Sequence, residues 1–337
     1  DNASTTAMRP EVIQEMTKIM LEDYGNPSST HSFGRNGKTI LELSRKSIVK
    51  HLNCTAQEII FTSGGTEADN WILRSAVEDL KVERIITSKI EHHAVLHTVW
   101  VLQEEYNVQV DYVKVNGDGS LDLTHLSNLL ADEKKTLVSL MHVNNETGTV
   151  LDLDRVSLIC KQYNALFHSD TVQSIGKTEI DLQKTPVDFI LASAHKFHGP
   201  KGIGFAFVRK NSGLQPLLFG GEQEKGLRAG TEAVHQIAGM AKALSISYEK
   251  LEEERAYISE LKNYLIQQLE LHFSDFRING KKDDFYNIIN IILPFSSDKT
   301  SMLLFSLDMK GIAVSRGSAC QSGSIKPSHV LNEMLSE

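Results

Sequence analysis

The chain has 337 residues, 41% apolar and 23% charged, with 35 basic against 43 acidic side chains and a net charge of −8. These values suit a globular protein with one large domain and a smaller one. The lack of a basic block argues against nucleic-acid binding, and no apolar run reaches the roughly 18 residues that a membrane span needs. Cys54, Cys160 and Cys320 are far apart and show no C-x-x-C spacing, which argues against a disulfide framework or a zinc site and fits a reducing cytoplasm. There is no initiator Met and no signal peptide, and Ser336-Glu337 falls within a helical pattern, so further residues are expected on both sides.

Taken in chain order, Glu58 to Thr62 reads as a strand and Thr66 to Leu80 as a helix. Between them, Thr62-Ser63-Gly64-Gly65-Thr66-Glu67-Ala68 places two glycines and a hydroxyl at a helix N-terminus, a site suited to phosphate. A helix capped after a glycine turn explains the same residues. Arg84 to Thr87 is a strand, followed by Glu91-His92-His93 and a helix from Ala94 to Tyr106. Those imidazoles suit either a metal or the face of an aromatic ring. Val108 to Val115 is a strand, Leu126 to Leu130 is helical, and Leu137 to His142 is a strand running into Val143-Asn144-Asn145-Glu146-Thr147-Gly148. A helix covers Asp154 to Tyr163, and Leu166 to Ser169 is a strand that leads into Asp170-Thr171-Val172-Gln173. A carboxylate at a strand's carboxyl end lies where open α/β sheets place ligands. His168, two residues before Asp170, raises the metal question again, without a third ligand near it.

The strand Val187 to Ala192 ends in Ser193-Ala194-His195-Lys196-Phe197-His198-Gly199-Pro200-Lys201-Gly202. Small polar residues, a lysine and a Gly/Pro turn hold one amine at the mouth of a sheet, where a desolvated lysine can form a Schiff base with a carbonyl cofactor. Gly204 to Val208 is the next strand, and its closeness to 187–192 suggests an antiparallel member in a mostly parallel sheet. Gly226-Leu227-Arg228-Ala229-Gly230-Thr231 offers an arginine between glycines for an anionic group. From Val234 one long helix is expected to His272, with Glu249 to Arg255 in its middle, then strands at Asn287 to Leu293 and Ile312 to Val314 and a terminal helix. Cys320, within Ser315-Arg316-Gly317-Ser318-Ala319-Cys320-Gln321-Ser322-Gly323-Ser324, has small polar neighbours that suit a reactive thiol.

In this order, from Asp1-Asn2-Ala3-Ser4-Thr5-Thr6 through Asn26-Pro27-Ser28-Ser29 to Pro327-Ser328-His329-Val330-Leu331, these motifs resemble the NifS/IscS-type cysteine desulfurases. Those are pyridoxal phosphate enzymes of the class-V aminotransferase group. The resemblance implies fold type I: a large α/β domain over 12–240 with a mostly parallel, mixed seven-stranded sheet, and a small α+β domain from 1–11 and 241–337. It implies pyridoxal 5′-phosphate held by Gly65, Thr66, Ser193 and His195, with Lys196 as the Schiff-base lysine and proton carrier. His92 would stack on the ring and accept a proton, Asp170 would face the ring nitrogen, and Gln173 the phenolic oxygen. Thr231 would reach the cofactor of a second subunit, making the protein a homodimer. Asn145 and Arg228 would contact substrate, Asn145 the cofactor as well.

Cys320 resembles the nucleophile that takes sulfur from L-cysteine as a persulfide, yielding L-alanine. From there sulfur would pass to an acceptor or scaffold protein for iron–sulfur cluster assembly or tRNA thiolation. No resident metal is implied, beyond a passing contact of Cys320 with a cluster. The pattern around Cys320 is nearer the class with a long loop, although Arg316 stands where that class has serine. The family's Ser-x-Arg-x-Ser segment would fall beyond residue 337, and Gln223 stands where some members have histidine. Another class-V aminotransferase or a selenocysteine lyase is the alternative within the same scaffold.

Overall fold

A computed structural model of the chain describes residues 1–296, 300, 302–316 and 327–335. Two helices, α1 (Pro10–Glu22) and α2 (Ser32–Leu52), precede the first strand. The sequence reading had left them out. Pro10 opens α1, where its missing N–H costs nothing, and left-handed Asn53 closes α2. Both pack against α7 (Val234–Glu249), and a Cβ added at Gly239 would meet Met16 at 2.7 Å.

Seven strands form the sheet: β1 (Ile59–Thr62), β2 (Arg84–Thr87), β3 (Gln109–Tyr112), β4 (Thr136–Ser139), β5 (Leu166–Asp170), β6 (Phe189–Ser193) and β7 (Gly204–Val208). Their spatial order is β1-β7-β6-β5-β4-β2-β3, with β7 antiparallel to both neighbours and every other pairing parallel. The expected mixed, mostly parallel seven-stranded sheet is therefore present.

Alternate residues of every strand but the edge strand β3 enter opposite cores. Phe61, Val138, Phe167, Ile190 and Phe205 face one layer with Val12, Ile48, Val156 and Ile237. Ile60, Leu137, Phe189, Leu191 and Ala206 face the other with Trp71, Ile72, Val95 and Val99, carried by α3 (Gly65–Glu78) and α4 (His93–Tyr106). Burial on both faces is why these strands read as nearly continuous apolar runs. The first layer also draws on α5 (Leu123–Leu129) and α6 (Leu153–Gln162).

The long helix expected over Val234 to His272 is two helices. α7 stops at Glu249, and α8 (Leu251–His272) starts after Lys250. Glu252, Glu253 and Glu254 occupy the first turn of α8, where carboxylates favour a helix start. The charged run that looked like mid-helix therefore marks a new N-terminus. The strand expected over Asn287 to Leu293 reduces to Ile291–Ile292, paired with Arg277–Ile278. Ile312 to Val314 is not a strand; Ile312 and Val314 are exposed. Short helices follow at Leu303–Asp308 and His329–Met334, and no helix among the described residues is long and apolar enough to cross a membrane.

The edge strand β1 is held by a buried ion pair. Arg45 and Glu224 meet at 2.7 Å with side chains 2% exposed. Arg45 also donates to the Ile59 carbonyl at 2.7 Å, and Glu224 accepts the Phe61 N–H at 2.8 Å, pairing backbone groups of the edge strand. Glu224→Ala takes the close buried partner from the guanidinium and leaves it the half-exposed Glu42 at 3.5 Å, and is expected to cost about 3 kcal/mol in urea unfolding. The Arg45→Met, Glu224→Leu double variant should recover most of that loss.

Candidate active site

A cavity of about 170 Å³ opens beyond the carboxyl ends of β1, β4, β5 and β6. Its wall takes Gly65 and Thr66 from the start of α3, His92 from the N-cap of α4, and Asn145 from the loop after β4. Asp170 and Gln173 come from the end of β5 and its turn, and Ser193, His195 and Lys196 from the end of β6 and its turn. Residues far apart in the sequence thus meet where parallel strands end.

Lys196 is 9% exposed. Its Nζ donates to the carbonyls of Ala3 and Ser4, at 2.6 and 2.9 Å. The amino-terminal segment binds the lysine turn elsewhere too. The Thr6 N–H and Oγ1 both donate to the His195 carbonyl, Thr6 Oγ1 accepts the His198 N–H, and His195 Nδ1 lies 3.1 Å from Thr5 Oγ1. Burial pushes the His195 imidazole down to about 4, with help from Lys196, Lys201 and Lys177, so it is neutral near pH 7.

On the opposite side the cavity is acidic. Asp170 accepts the Val172 N–H at 2.9 Å, and burial raises its pKa against the pull of His92, that N–H and Lys196. Asp69, on α3, is fully buried and raised well above the usual carboxylate range by burial, then by Asp170 and Glu91. Its Oδ1 faces His168 Nε2 at 3.4 Å without a hydrogen bond. His168 is held to Ser139 Oγ at 2.9 Å, and burial pushes it down to about 3, so it brings no charge to Asp69. Asp69, His92 and Asp170 each present one atom within 4.8 Å of the others. Neither sequence pairing considered for a metal, His92 with His93 or His168 with Asp170, is the group that converges.

The cavity therefore has two poles. One is the N-terminus of α3, where the Gly65 N–H donates to Ser193 Oγ at 3.3 Å and a Cβ on Gly65 would meet Val172 at 2.7 Å. Amides at a helix start attract an anion. The other holds Asp170, which feels the positive charges of His92 and Lys196, and Asp69, which faces the neutral His168. A ligand with a phosphate at one end, a protonated ring nitrogen at the other and a carbonyl between them matches this polarity, and pyridoxal phosphate has that form.

Two expected residues lie outside the cavity. Arg228 is bound to Glu67, with Nε at 2.9 Å from Oε1, and Thr231 is exposed. Cys320 lies outside the described residues. The chain on both sides of it is tied close to the cavity. Asp1 donates to the Ala313 carbonyl and accepts from Ser315 Oγ, while Ser328 Oγ donates to Glu146 at 2.5 Å and His329 Nε2 to the Glu91 carbonyl at 2.9 Å. The sequence reading missed Asp69, Met141, Val172 and the carbonyls of Ala3 and Ser4 as parts of the wall. Asp69 had a signal: it stands three residues after Thr66 on a helix, hence on the same face.

The class-V aminotransferase family matches residues 1–335. The chain belongs to that family. It is 41% identical over 334 residues to a cysteine desulfurase IscS of Clostridium botulinum (strain Kyoto / Type A2), covering 98% of this chain and 84% of the relative. It is 40% identical to a putative cysteine desulfurase IscS 1 of Bacillus subtilis (strain 168), covering 89% of that protein. Among solved structures, a NifS-like protein superposes with a TM-score of 0.91 at 37% identity over 99% of this chain and 88% of the other. SspA in complex with cysteine does so at 0.84 and 29% identity, over 99% and 93%. The family depends on pyridoxal phosphate.

Glu91 connects the site to stability. It is fully buried, accepts from Ser88 Oγ and the Met141 N–H, and is pushed up to about 8 by burial. It keeps its proton in the fold while the unfolded chain loses one near the usual 4.5, so its contribution is full at acid pH and falls as pH rises through that window. Glu91→Gln in the cofactor-free protein should flatten the melting temperature between pH 5 and 8 and raise it by a few degrees at pH 8, as read by thermal unfolding across pH.

Proposed function

We propose that this protein is a pyridoxal 5′-phosphate-dependent cysteine desulfurase, converting L-cysteine to L-alanine and carrying the released sulfur on Cys320. The observation that carries this reading is one cavity holding a buried lysine, two buried carboxylates and a glycine-opened helix N-terminus in a chain of this family. When bound, the cofactor supplies a carbonyl that condenses with amines and a ring that draws electrons from the carbon it holds.

The residues divide the remaining work. Gly65, Thr66, Ser193 and His195 hold the phosphate. Asp170 would face the ring nitrogen and hold its proton, His92 would cover the ring, and Gln173 would turn its amide to the phenolic oxygen. Lys196, held by the Ala3 and Ser4 carbonyls, would be the amine that holds the cofactor's carbonyl, and it would move the proton at the substrate's α-carbon. Asn145 and Arg228 contact substrate, and His92 accepts a proton at the substrate thiol.

The Cys320 thiolate attacks the substrate sulfur. The Cβ–S bond breaks, its electron pair goes to Cβ, which takes a proton and becomes the methyl group of alanine, and the sulfur remains on Cys320 as a persulfide. Cysteine is reduced at carbon and oxidised at sulfur, so no outside oxidant is needed. The ties of Asp1 and Glu146 to the segments flanking Cys320 support its access to this cavity.

Thr231, exposed in its own chain, would contact the phosphate of a partner in a homodimer. The division into a large domain over 12–240 and a small one from 1–11 and 241–337, a cytoplasmic setting and transfer of sulfur to an acceptor or scaffold protein complete the proposal.

Lys196→Ala, mixed with pyridoxal phosphate, is expected to give no lysine-bound visible band and to lose at least about 10³-fold in alanine production. A retained band would remove Lys196 from its role. Cys320→Ser is expected to keep the band and the spectral response to cysteine while forming neither persulfide nor sulfide. Intact mass after adding cysteine reads the adduct directly, and a keto acid in place of alanine would mark an aminotransferase.

A further inference from the structure

Lys177 is a buried lysine with no part in the chemistry above. It follows the turn after β5, four residues beyond Gln173, and is 7% exposed. Its Nζ donates to Gln173 Oε1 at 3.2 Å, and among the described residues no carboxylate pairs with it. A buried ammonium without a counter-ion is costly to a fold. Burial pushes it down to about 7, with Lys196 as the second cause.

The amide of Gln173 has an accepting end and a donating end, whereas a lysine ammonium only donates. Lys177 therefore selects one orientation: Oε1 faces Lys177, and Nε2 points the other way, where it donates to the Ala3 carbonyl at 2.9 Å. The Lys196 amine donates to that same carbonyl at 2.6 Å. Lys177, Gln173 and Lys196 are thus linked through one carbonyl at the cavity wall.

We propose that Lys177 is a positioning residue that locks the Gln173 amide with its NH₂ toward the cavity and sets a positive charge near the Lys196 nitrogen. The charges facing this pair come from several elements. His195, His198 and Lys201 lie in the turn after β6, His92 at the start of α4, Asp170 at the end of β5 and Asp69 on α3. Arg9 is already matched by Glu254 of α8 at 2.7 Å. An anionic oxygen of the ligand beside Gln173 is the group that both the amide and the Lys177 charge favour.

This inference rests on the pyridoxal phosphate reading of the cavity. The test is a pH titration of the visible spectrum of the pyridoxal phosphate-loaded protein, with cofactor affinity and the melting temperature of the cofactor-free protein measured alongside. Lys177→Met is expected to raise the spectral midpoint by about one pH unit, because a neighbouring positive charge has gone. It should weaken pyridoxal phosphate binding about tenfold, the size of one lost, charge-assisted arrangement. The cofactor-free variant should melt no lower than the wild type. Lys177→Arg should restore the midpoint, and in a Gln173→Ala background Lys177→Met should no longer change affinity. A wild type that takes up no pyridoxal phosphate overturns the function and this inference together. A loaded wild type whose Lys177→Met variant keeps its midpoint, or whose affinity losses with Gln173→Ala simply add, overturns this inference alone. So does a cofactor-free variant that melts far below the wild type, which makes Lys177 a structural residue.

Discussion

The antiparallel strand β7 is the constraint on which the cavity depends. It lies between β1 and β6, and its first residue, Gly204, is in register with Thr62 on one side and Ser193 on the other. Because β7 opposes both neighbours, β1 and β6 run the same way and end at the same edge. The glycine turn after β1 and the lysine turn after β6 are thereby brought together, although about 130 residues separate them (Gly65 to Lys196). The approach is close: a Cβ on Gly204 would meet the Ala192 carbonyl at 2.2 Å and the Gly64 backbone at 2.8 Å. Only a residue without a side chain lets three backbones meet there. Parallel pairing of β5 with β6, with Asp170 opposite Leu191, then sets the carboxylate beside the lysine turn.

The amino-terminal segment closes this arrangement from outside the sheet. Residues 3–6 belong to no helix or strand, yet their backbone and hydroxyl groups meet the lysine turn at Lys196, His195 and His198. The buried Lys196 amine donates to two backbone carbonyls, those of Ala3 and Ser4. Carbonyls satisfy hydrogen bonds without adding a full negative charge, so the amine is held in place while remaining ready to leave them.

Much of this was legible in the sequence, for identifiable reasons. The strands are buried on both faces and stand out as apolar runs. Glycine turns and polar residues directly after strands mark the sheet's carboxyl edge, which is how Lys196, Asp170 and Gly65 were found. The order of these motifs implied the rest through a family resemblance. What was not legible depends on three-dimensional neighbours. Asp69 looks like any polar residue of a helix until α3 packs beside β5. Arg45 and Glu224 look like surface charges until the edge of β1 claims them. Lys250 divides α7 from α8 without a glycine or proline, so periodicity ran straight through the break. Ile312 to Val314 had the composition of a strand but has no partner strand among the described residues, and pairing decides strands more than composition does.

The two poles of the cavity share an energetic logic. Asp69 and Asp170 lie close together and buried, and Glu91 adds a third buried acid nearby. Across the cavity Lys196 and Lys177 are buried near each other and near His195. In the empty fold like charges are grouped, and burial drives Asp69, Asp170, Glu91, Lys177 and His195 toward their neutral forms. A ligand with a cationic ring nitrogen at one end and anionic oxygens at the other would supply counter-charges to both groups at once. Binding to the folded state alone then shifts the folding equilibrium by mass action. Replacing either group by apolar residues would favour the empty fold and remove the polarity that orients the ligand, so the same side chains that weaken the empty protein set the direction in which the ligand enters.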